Sequence, residues 1–178
     1  MSEAKQSDSA DLFGGTGAEA MDRGAYISPC GRYRYSLWRQ WAPGPMVMFV
    51  GLNPSTADAT LDDPTIRRCI GFARAWGYCG LMMTNLFAWR STDPRGMLEA
   101  DDPTGPDNDR VLLTAHAKAA VTIAAWGCHG THGGRHNAVR AMLPRLHYLR
   151  LTKDGHPGHP LYLPVSLLPV EWVPPNAL

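Results

Sequence analysis

The chain has 178 residues, of which 44% are hydrophobic and 19% charged, and its formal net charge is +1. This composition excludes a coiled coil, a collagen and a wholly disordered chain, and the length predicts one domain or at most two. No apolar run approaches the roughly 20 residues of a membrane span. The first residues contain no apolar stretch typical of a signal peptide, so we expect a cytoplasmic protein without a membrane partner.

The composition changes after the first two dozen residues. Residues 1–24 are small, polar and rich in glycine, which predicts a flexible N-terminal arm, and residues 25–178 are predicted to form a single domain. The four cysteines include no C-x-x-C pair. Reduced thiols without a bound zinc or iron–sulfur cluster are therefore expected, and no cofactor is predicted.

Apolar strands alternate with helical patterns along this domain. Residues 32–41 alternate apolar and charged side chains, which predicts a half-exposed strand, and residues 46–51 form an apolar run typical of a strand buried on both faces. A helix is expected to begin at Asp63-Pro64 and to stop near Gly77. Further strands are predicted at 80–86, 121–127 and 148–152, further helices from Val111 and over 135–146, and a long surface connection at 90–108.

This alternation predicts the fold class and the place of the site. Strands that alternate with helices form an α/β fold, here a three-layer α/β/α sandwich around a central, largely parallel sheet of about four strands. Right-handed crossovers bring the carboxyl ends of parallel strands to one edge of the sheet, and ligands of such sheets bind outside that edge. The residues that follow each strand are therefore the candidates for function.

Polar side chains follow the predicted strands. Asn53-Pro54 comes after the first buried strand, Asn85 ends the second, and His159-Pro160 lies in the segment after the last. Each has a structural alternative, since Asn53-Pro54 is also typical of a turn, Asn85 could cap the next loop and His159 could be a loop residue. Their occurrence after several strands favours a common site.

These motifs carry a resemblance to known families. The blocks GLNPSTADATLDDPTIRRCIGFARAWGY, TNLFAWRSTDP, AWG and HPLYL, within residues 32–165, resemble an uncharacterised bacterial and phage family, domain of unknown function sixteen forty-three. More distantly they resemble the uracil-DNA glycosylase superfamily, in particular its mismatch-specific branch with a G-I-N-P motif. The second resemblance implies a uracil-DNA glycosylase-like fold and hydrolysis of the N-glycosidic bond of uracil or of a modified or mismatched base.

The resemblance to the glycosylases also implies residue roles. Asn53 stands where the family positions the attacking water, Asn85 where it recognises the base, His159 where it stabilises the departing base, and Leu163 where it fills the gap left by an extruded base. Asn53 replaces the Asp of stronger catalysts, which implies a weak general base. The other predicted substrate-binding residues are Gly51, Leu52, Pro54, Ser55 and Asp58.

DNA, single- or double-stranded, or another nucleobase-containing ligand is the expected partner. Fourteen of the seventeen basic residues are arginine, which suits bidentate contacts with phosphate, although on charge alone a solvated arginine-rich surface is the favoured interpretation. The arginines predicted to contact phosphate are Arg67, Arg68, Arg90 and Arg135.

Two other classes of function stay open. Cys128, His129, His132 and His136 lie close together in the sequence and could bind a metal in a metal-assisted hydrolase, although loop histidines after a strand are the favoured interpretation. The same sheet edge could also belong to a nucleotide- or nucleic-acid-binding module without catalysis. The order of the residues does not distinguish these alternatives.

Overall fold

The computed structural model describes residues 22–173. Within this range the chain forms seven strands and four α-helices. In chain order the elements are β1 (Asp22–Ile27), β2 (Arg34–Gln40), β3 (Met46–Gly51), α1 (Pro64–Ala75), β4 (Gly80–Asn85), α2 (Pro94–Leu98), α3 (Asn108–Lys118), β5 (Val121–Ala124), α4 (Arg135–Met142), β6 (Leu146–Tyr148) and β7 (Val170–Glu171).

The strands form one mixed sheet in the order β1-β2-β4-β3-β5-β6-β7. Strands β4, β3, β5 and β6 run parallel to one another in the centre, whereas β1 and β2 at one edge and β7 at the other pair antiparallel. The predicted α/β class is confirmed. The sheet has seven strands rather than about four because antiparallel strands extend both of its edges: β1 and β2 at one edge and the two-residue β7 at the other.

Helices cover both faces of the sheet and bury its central strands. Helix α1 packs on one face through Ile66, Cys69, Phe72 and Ala73, and helices α3 and α4 pack on the other. Strand β3 lies between these two apolar clusters, which explains why its sequence is continuously apolar.

Helix α1 begins and ends at the residues that the sequence indicates. The Asp63 side chain accepts a hydrogen bond from the backbone N–H of Ile66 at 2.8 Å, and Pro64 occupies the first helical position. Gly77 follows the helix with φ of +80°, a conformation that glycine adopts without strain. The cap fixes the loop before α1 against the carboxyl end of the sheet.

Several predicted boundaries are wrong. The last parallel strand is Leu146–Tyr148 instead of 148–152, and the connection at 90–108 contains helix α2, whose first turn Asp93 caps. Residues 22–24 belong to strand β1, and the rest of the predicted arm lies outside the described residues.

The four helices are too short or too polar to cross a bilayer, so the described residues contain no candidate membrane-spanning helix.

Candidate nucleobase-binding site

A cavity of about 550 Å³ opens at the carboxyl ends of the parallel strands. Asn53 follows β3, Asn85 ends β4, and His159 lies in the segment between β6 and β7, yet all three line this cavity. Parallel strands joined by crossovers bring their carboxyl ends to the same edge, which explains why residues so distant in sequence meet. The volume lies within the usual range for small-molecule sites.

Asn85 is a buried amide with an unused donor. Its side chain is 3% exposed, and its Nδ2 has no hydrogen-bond partner among the described residues. A buried donor without a partner is costly, and such groups in a cavity are typical of ligand contacts. Its backbone is fixed, because the Nδ2 of the buried Asn108 donates to the Asn85 carbonyl at 3.1 Å. The side-chain Nδ2 of Asn85 is therefore available to donate to an acceptor on a ligand.

Asn53 has its amide oriented by the neighbouring loop. Its Nδ2 donates to the carbonyl oxygens of Ser91 at 2.9 Å and Pro54 at 3.2 Å, with a longer contact to Trp89 at 3.5 Å. Because the nitrogen is engaged, Oδ1 is the atom left to accept a hydrogen bond from a water or a ligand. The side chain can therefore hold a water molecule, but as a carboxamide it is not a strong base.

His159 is half-buried and has a defined tautomer. Its Nδ1 accepts a hydrogen bond from the backbone N–H of Leu161 at 3.3 Å, so the proton of the neutral ring lies on Nε2. Burial lowers the pKa of His159, an effect that nearby Asp63 partly offsets. The ring is therefore a neutral donor at physiological pH.

The remaining residues of the predicted motif divide between the cavity and the loop beneath it. Gly51, Leu52 and Ser55 line the cavity. Pro54 is buried beside them, and its carbonyl accepts the N–H of Ser91 at 3.0 Å.

Asp58 does not line the cavity. Its Oδ1 accepts the backbone N–H groups of Thr60 and Leu61, both at 2.8 Å, and these hydrogen bonds lower the pKa of the Asp58 carboxyl. The residue therefore closes a turn instead of contacting a ligand there.

Leu163 is not placed to fill the gap left by a base. It is 7% exposed, packs in the core cluster beneath α1 and does not line the cavity, in contrast to its predicted place as a wedge. The 3₁₀ turn Pro160–Tyr162 places its own side chains at the cavity instead. Tyr162 is 82% exposed at the rim, and its ring centroid lies 5.6 Å from that of His159.

All four arginines predicted to contact phosphate donate hydrogen bonds within the chain, and only Arg67 is exposed. Arg68 donates to the Leu163 carbonyl, Arg90 to the Gly31 carbonyl, and Arg135 to the Leu86 carbonyl and the Asp109 carboxylate. Arg67 is exposed on α1, where it donates to the Asp62 carbonyl. None of the four lines the cavity.

Sequence reasoning missed the arginine that does line the cavity. Arg34 begins β2 and is 2% exposed, although the alternating pattern of residues 32–41 predicts a half-exposed strand. Both faces of β2 are covered, and Ser36 on the same side is also buried. Burial lowers the pKa of Arg34 to about 10, so the guanidinium stays charged at neutral pH. Strand β2 also contains Ser36, Arg39 and Gln40, so no sequence signal distinguishes Arg34 from its other polar residues.

The residues considered as metal ligands do not converge. Cys128 and His129 line the cavity, whereas His132 packs on Phe87 with ring centroids 5.7 Å apart and His136 lies 6.4 Å from the ring of His156. Within residues 22–173 no group of three or more His, Cys, Asp or Glu side chains could hold a metal ion. The metal-assisted alternative therefore lacks its expected ligand set.

Comparison with known proteins gives a family but no activity. No curated protein and no solved structure is significantly similar to the chain. The family model described as "Protein of unknown function (DUF1643)" matches residues 34–161, a range that contains Arg34, Asn53, Asn85 and His159. Because this match covers most of the sequence, the chain belongs to the DUF1643 family.

Proposed function

We propose that this protein hydrolyses the N-glycosidic bond of uracil or of another modified or mismatched base in DNA, with a fold related to that of the uracil-DNA glycosylases. The observation that carries the proposal is the unpaired, buried amide of Asn85 in a cavity that Asn53 and His159 also line. These three residues are those for which the motif resemblance implies recognition of the base, positioning of water and stabilisation of the leaving group.

Asn85 has the chemistry to recognise a base edge. Its amide offers one donor and one acceptor side by side, which matches a ring carbonyl next to a ring N–H. Uracil, hydroxymethyluracil and hypoxanthine all present this pair, whereas adenine and cytosine do not. A base in a duplex must leave the helix to reach such a pocket, and mismatched or damaged bases do so at the least cost.

Asn53 and His159 would divide the hydrolysis between them. Asn53 Oδ1 would hold a water whose oxygen adds to the sugar carbon while the bond from that carbon to the base nitrogen breaks. The electron pair of that bond leaves with the base, and the proton released by the water restores the neutral base. The Nε2–H of neutral His159 would donate to a base oxygen on which negative charge develops.

The rim of the cavity carries a side chain that could stack on an extruded base or fill the gap that this base leaves in the duplex. Tyr162 is almost fully exposed beside His159, and its ring can stack on a base. This arrangement gives Tyr162 the role that the motif resemblance had implied for Leu163.

The test is an incubation with oligonucleotides that carry uracil, hydroxymethyluracil, hypoxanthine or mismatches, followed by alkaline cleavage of abasic sites. We expect strand breaks at one or more of these bases with the wild type and markedly fewer with Asn85→Ala. Asn137→Ala, a change of an exposed asparagine on α4, is the matched control and should retain the activity. Absence of abasic sites on every substrate with the wild type would reject the hydrolase.

A second candidate is a nucleobase-binding module without catalysis. It is favoured by the lack of a free carboxylate: Asp63 is the one Asp or Glu among the described residues lining the cavity, and it caps helix α1. Binding of base-containing ligands to the wild type without any abasic product would support this candidate over the hydrolase.

A further inference from the structure

Two buried arginines on strand β2 differ in how their donors are used. Arg39 is 1% exposed and is satisfied within the chain: it forms an ion pair with Asp62 at 2.8 Å and donates to several carbonyl oxygens, including that of Asp58 at 2.7 Å. Arg34 is 2% exposed, but only its Nη1 is used, by the Ala57 carbonyl. Its Nε is buried with no partner among the described residues, and its Nη2 forms no hydrogen bond there.

Arg34 also lacks a direct ion-pair partner among the described residues, although the charges of Asp63 and Asp58 partly offset its burial. No carboxylate among the described residues forms an ion pair with it, and the two acids that influence it most, Asp63 and Asp58, are occupied by the cap of α1 and by the turn at Thr60. A buried guanidinium without a contacting anion is costly, because more distant carboxylates offset only part of the loss of its water. Arg39 shows that this fold can satisfy a buried arginine fully, so the open donors of Arg34 call for an acceptor from outside the chain.

We infer that Arg34 forms an anion-binding subsite of the cavity, and that the ligand is a nucleoside phosphate whose phosphate accepts hydrogen bonds from this guanidinium. The inference rests on the proposed function for the identity of the base, but not for the anion. The planar fork of arginine matches phosphate oxygens, and charge-assisted bonds of this type are among the strongest in proteins.

The lining of the cavity agrees with an acceptor-rich ligand. Besides Arg34, it presents the Nδ2 of Asn85, the Nε2–H of His159 and the Nε1 of Trp126, which is also buried without a partner in the described chain. A volume of about 550 Å³ accommodates a base together with its sugar and phosphate. The base would occupy the Asn85 side and the phosphate the Arg34 side of one cavity.

Two sources could supply this phosphate, a free mononucleotide or a nucleotide within a DNA strand. The experiment therefore has two arms, both with the full chain. In the first, titration calorimetry compares deoxyuridine and deoxyinosine with their 3′- and 5′-monophosphates, and with inorganic phosphate alone. In the second, a uracil-containing single strand is compared with strands in which one phosphate flanking the uracil is a neutral methylphosphonate.

We expect the wild type to bind the ligand with the charged phosphate about tenfold or more tightly than the matching ligand without it, in one arm of the experiment or in both. Arg34→Gln should remove this increase, so that ligands with and without phosphate bind this variant within about twofold of each other, and Arg34→Lys should retain part of the increase. Arg74→Gln, at the far end of α1 from the cavity, is the matched control and should behave as wild type. If Arg34→Gln fails to fold, the affinities of the wild type for charged and neutral ligands still show whether the cavity binds an anion.

Equal affinity of the wild type for ligands with and without phosphate would overturn the inference, as would an increase that survives in folded Arg34→Gln. A phosphate effect that depends on Arg34, without any abasic product, would reject the proposed hydrolysis and leave the anion subsite standing. If the wild type binds phosphate through Arg34 but shows no preference for any base, this result would likewise count only against the proposed function.

Discussion

Gly51 and Asn85 stand opposite each other at the last paired position of β3 and β4, and a Cβ atom on Gly51 would lie 2.7 Å from Oδ1 of Asn85. No real side chain tolerates so short a contact with a fixed atom. The amide of Asn85 can therefore occupy its place over the strand end only because residue 51 has no side chain. The glycine of the GLNPS motif thus positions the candidate base-recognition residue.

The first prediction follows from that contact. Gly51→Ala should push the Asn85 amide from its position and weaken binding of a base or nucleoside roughly tenfold, comparable to losing one buried hydrogen bond of about 1–3 kcal/mol. Titration calorimetry with the nucleosides named above measures the change.

The control for this change is a glycine with room for a methyl group. A Cβ on Gly71 in helix α1 meets only Cγ2 of Val165 at 4.0 Å, so Gly71→Ala should leave binding unchanged and stabilise the helix slightly. Equal binding by Gly51→Ala and wild type would show that Asn85 is not the base-recognition residue or is not held by this contact.

The two asparagines should differ in what they affect. Asn85→Ala should weaken base binding roughly tenfold or more, because it removes a buried polar contact with the base. Asn53→Ala should spare binding and slow turnover, because its held water matters mainly in the transition state. Separate measurements of nucleoside affinity and of abasic-site formation test this division. Unchanged activity of both variants on every substrate would contradict the mechanism.

Acid should destabilise the protein through three half-buried histidines. Burial lowers the pKa values of His116, His136 and His159 in the folded state below the ordinary value of about 6.5. Between the folded and unfolded pKa values the unfolded chain binds more protons, so the free energy of unfolding should fall as the pH drops from 7 towards 5.

Urea denaturation at several pH values measures this dependence, and His159→Gln should make it shallower by removing one of the three groups. A free energy of unfolding that rises as the pH falls through this range would show that these histidines do not titrate as the structure implies.

The sequence predicts that Asn53, Asn85 and His159 lie close together. It does not predict which groups the arginine side chains contact. Apolar strands and helix caps are local patterns, and the handedness of crossovers then determines where strand ends lie. Whether an arginine faces solvent, a carbonyl or a cavity depends on neighbours distant in sequence, such as Leu163 for Arg68 and Ala57 for Arg34. Such partners leave no periodic signal.

The Pro160–Tyr162 turn illustrates the same limit at a finer scale. One residue of difference in a 3₁₀ turn decides which side chain faces the core and which faces the rim, and sequence spacing does not resolve this. Leu163 and Tyr162 are neighbours with opposite environments, 7% and 82% exposed.

Those environments give the next prediction. Leu163→Ala should lower the free energy of unfolding by about 2–5 kcal/mol, the usual cost of truncating a buried leucine. Tyr162→Ala should change stability by less than about 0.5 kcal/mol and instead reduce activity on duplex DNA, where a stacking ring is needed. Urea denaturation and the abasic-site assay distinguish the two. A destabilised Tyr162→Ala, or a fully stable Leu163→Ala, would mean that the turn is oriented differently.

The last prediction concerns the salt dependence of DNA binding. Each phosphate contacted on duplex DNA contributes about −0.9 to the slope of log affinity against log salt, so four arginine contacts would give a slope of roughly −3 to −4. Because Arg68, Arg90 and Arg135 are partly buried and donate to the chain's own carbonyls, we expect a shallower slope, of about −1 to −2. The contributors are Arg67, which is exposed, and Arg34, whose Nε has no partner among the described residues.

Fluorescence anisotropy with one duplex at several salt concentrations measures that slope. Arg67→Gln should make it shallower by about one unit, since this arginine is exposed on α1. Arg68→Gln should leave the slope unchanged and lower the melting temperature, because it removes the donor that holds the Leu163 carbonyl. A wild-type slope near −4 that becomes shallower in Arg68→Gln would show that these arginines leave their internal partners to bind DNA, and that the cavity rim rearranges with them.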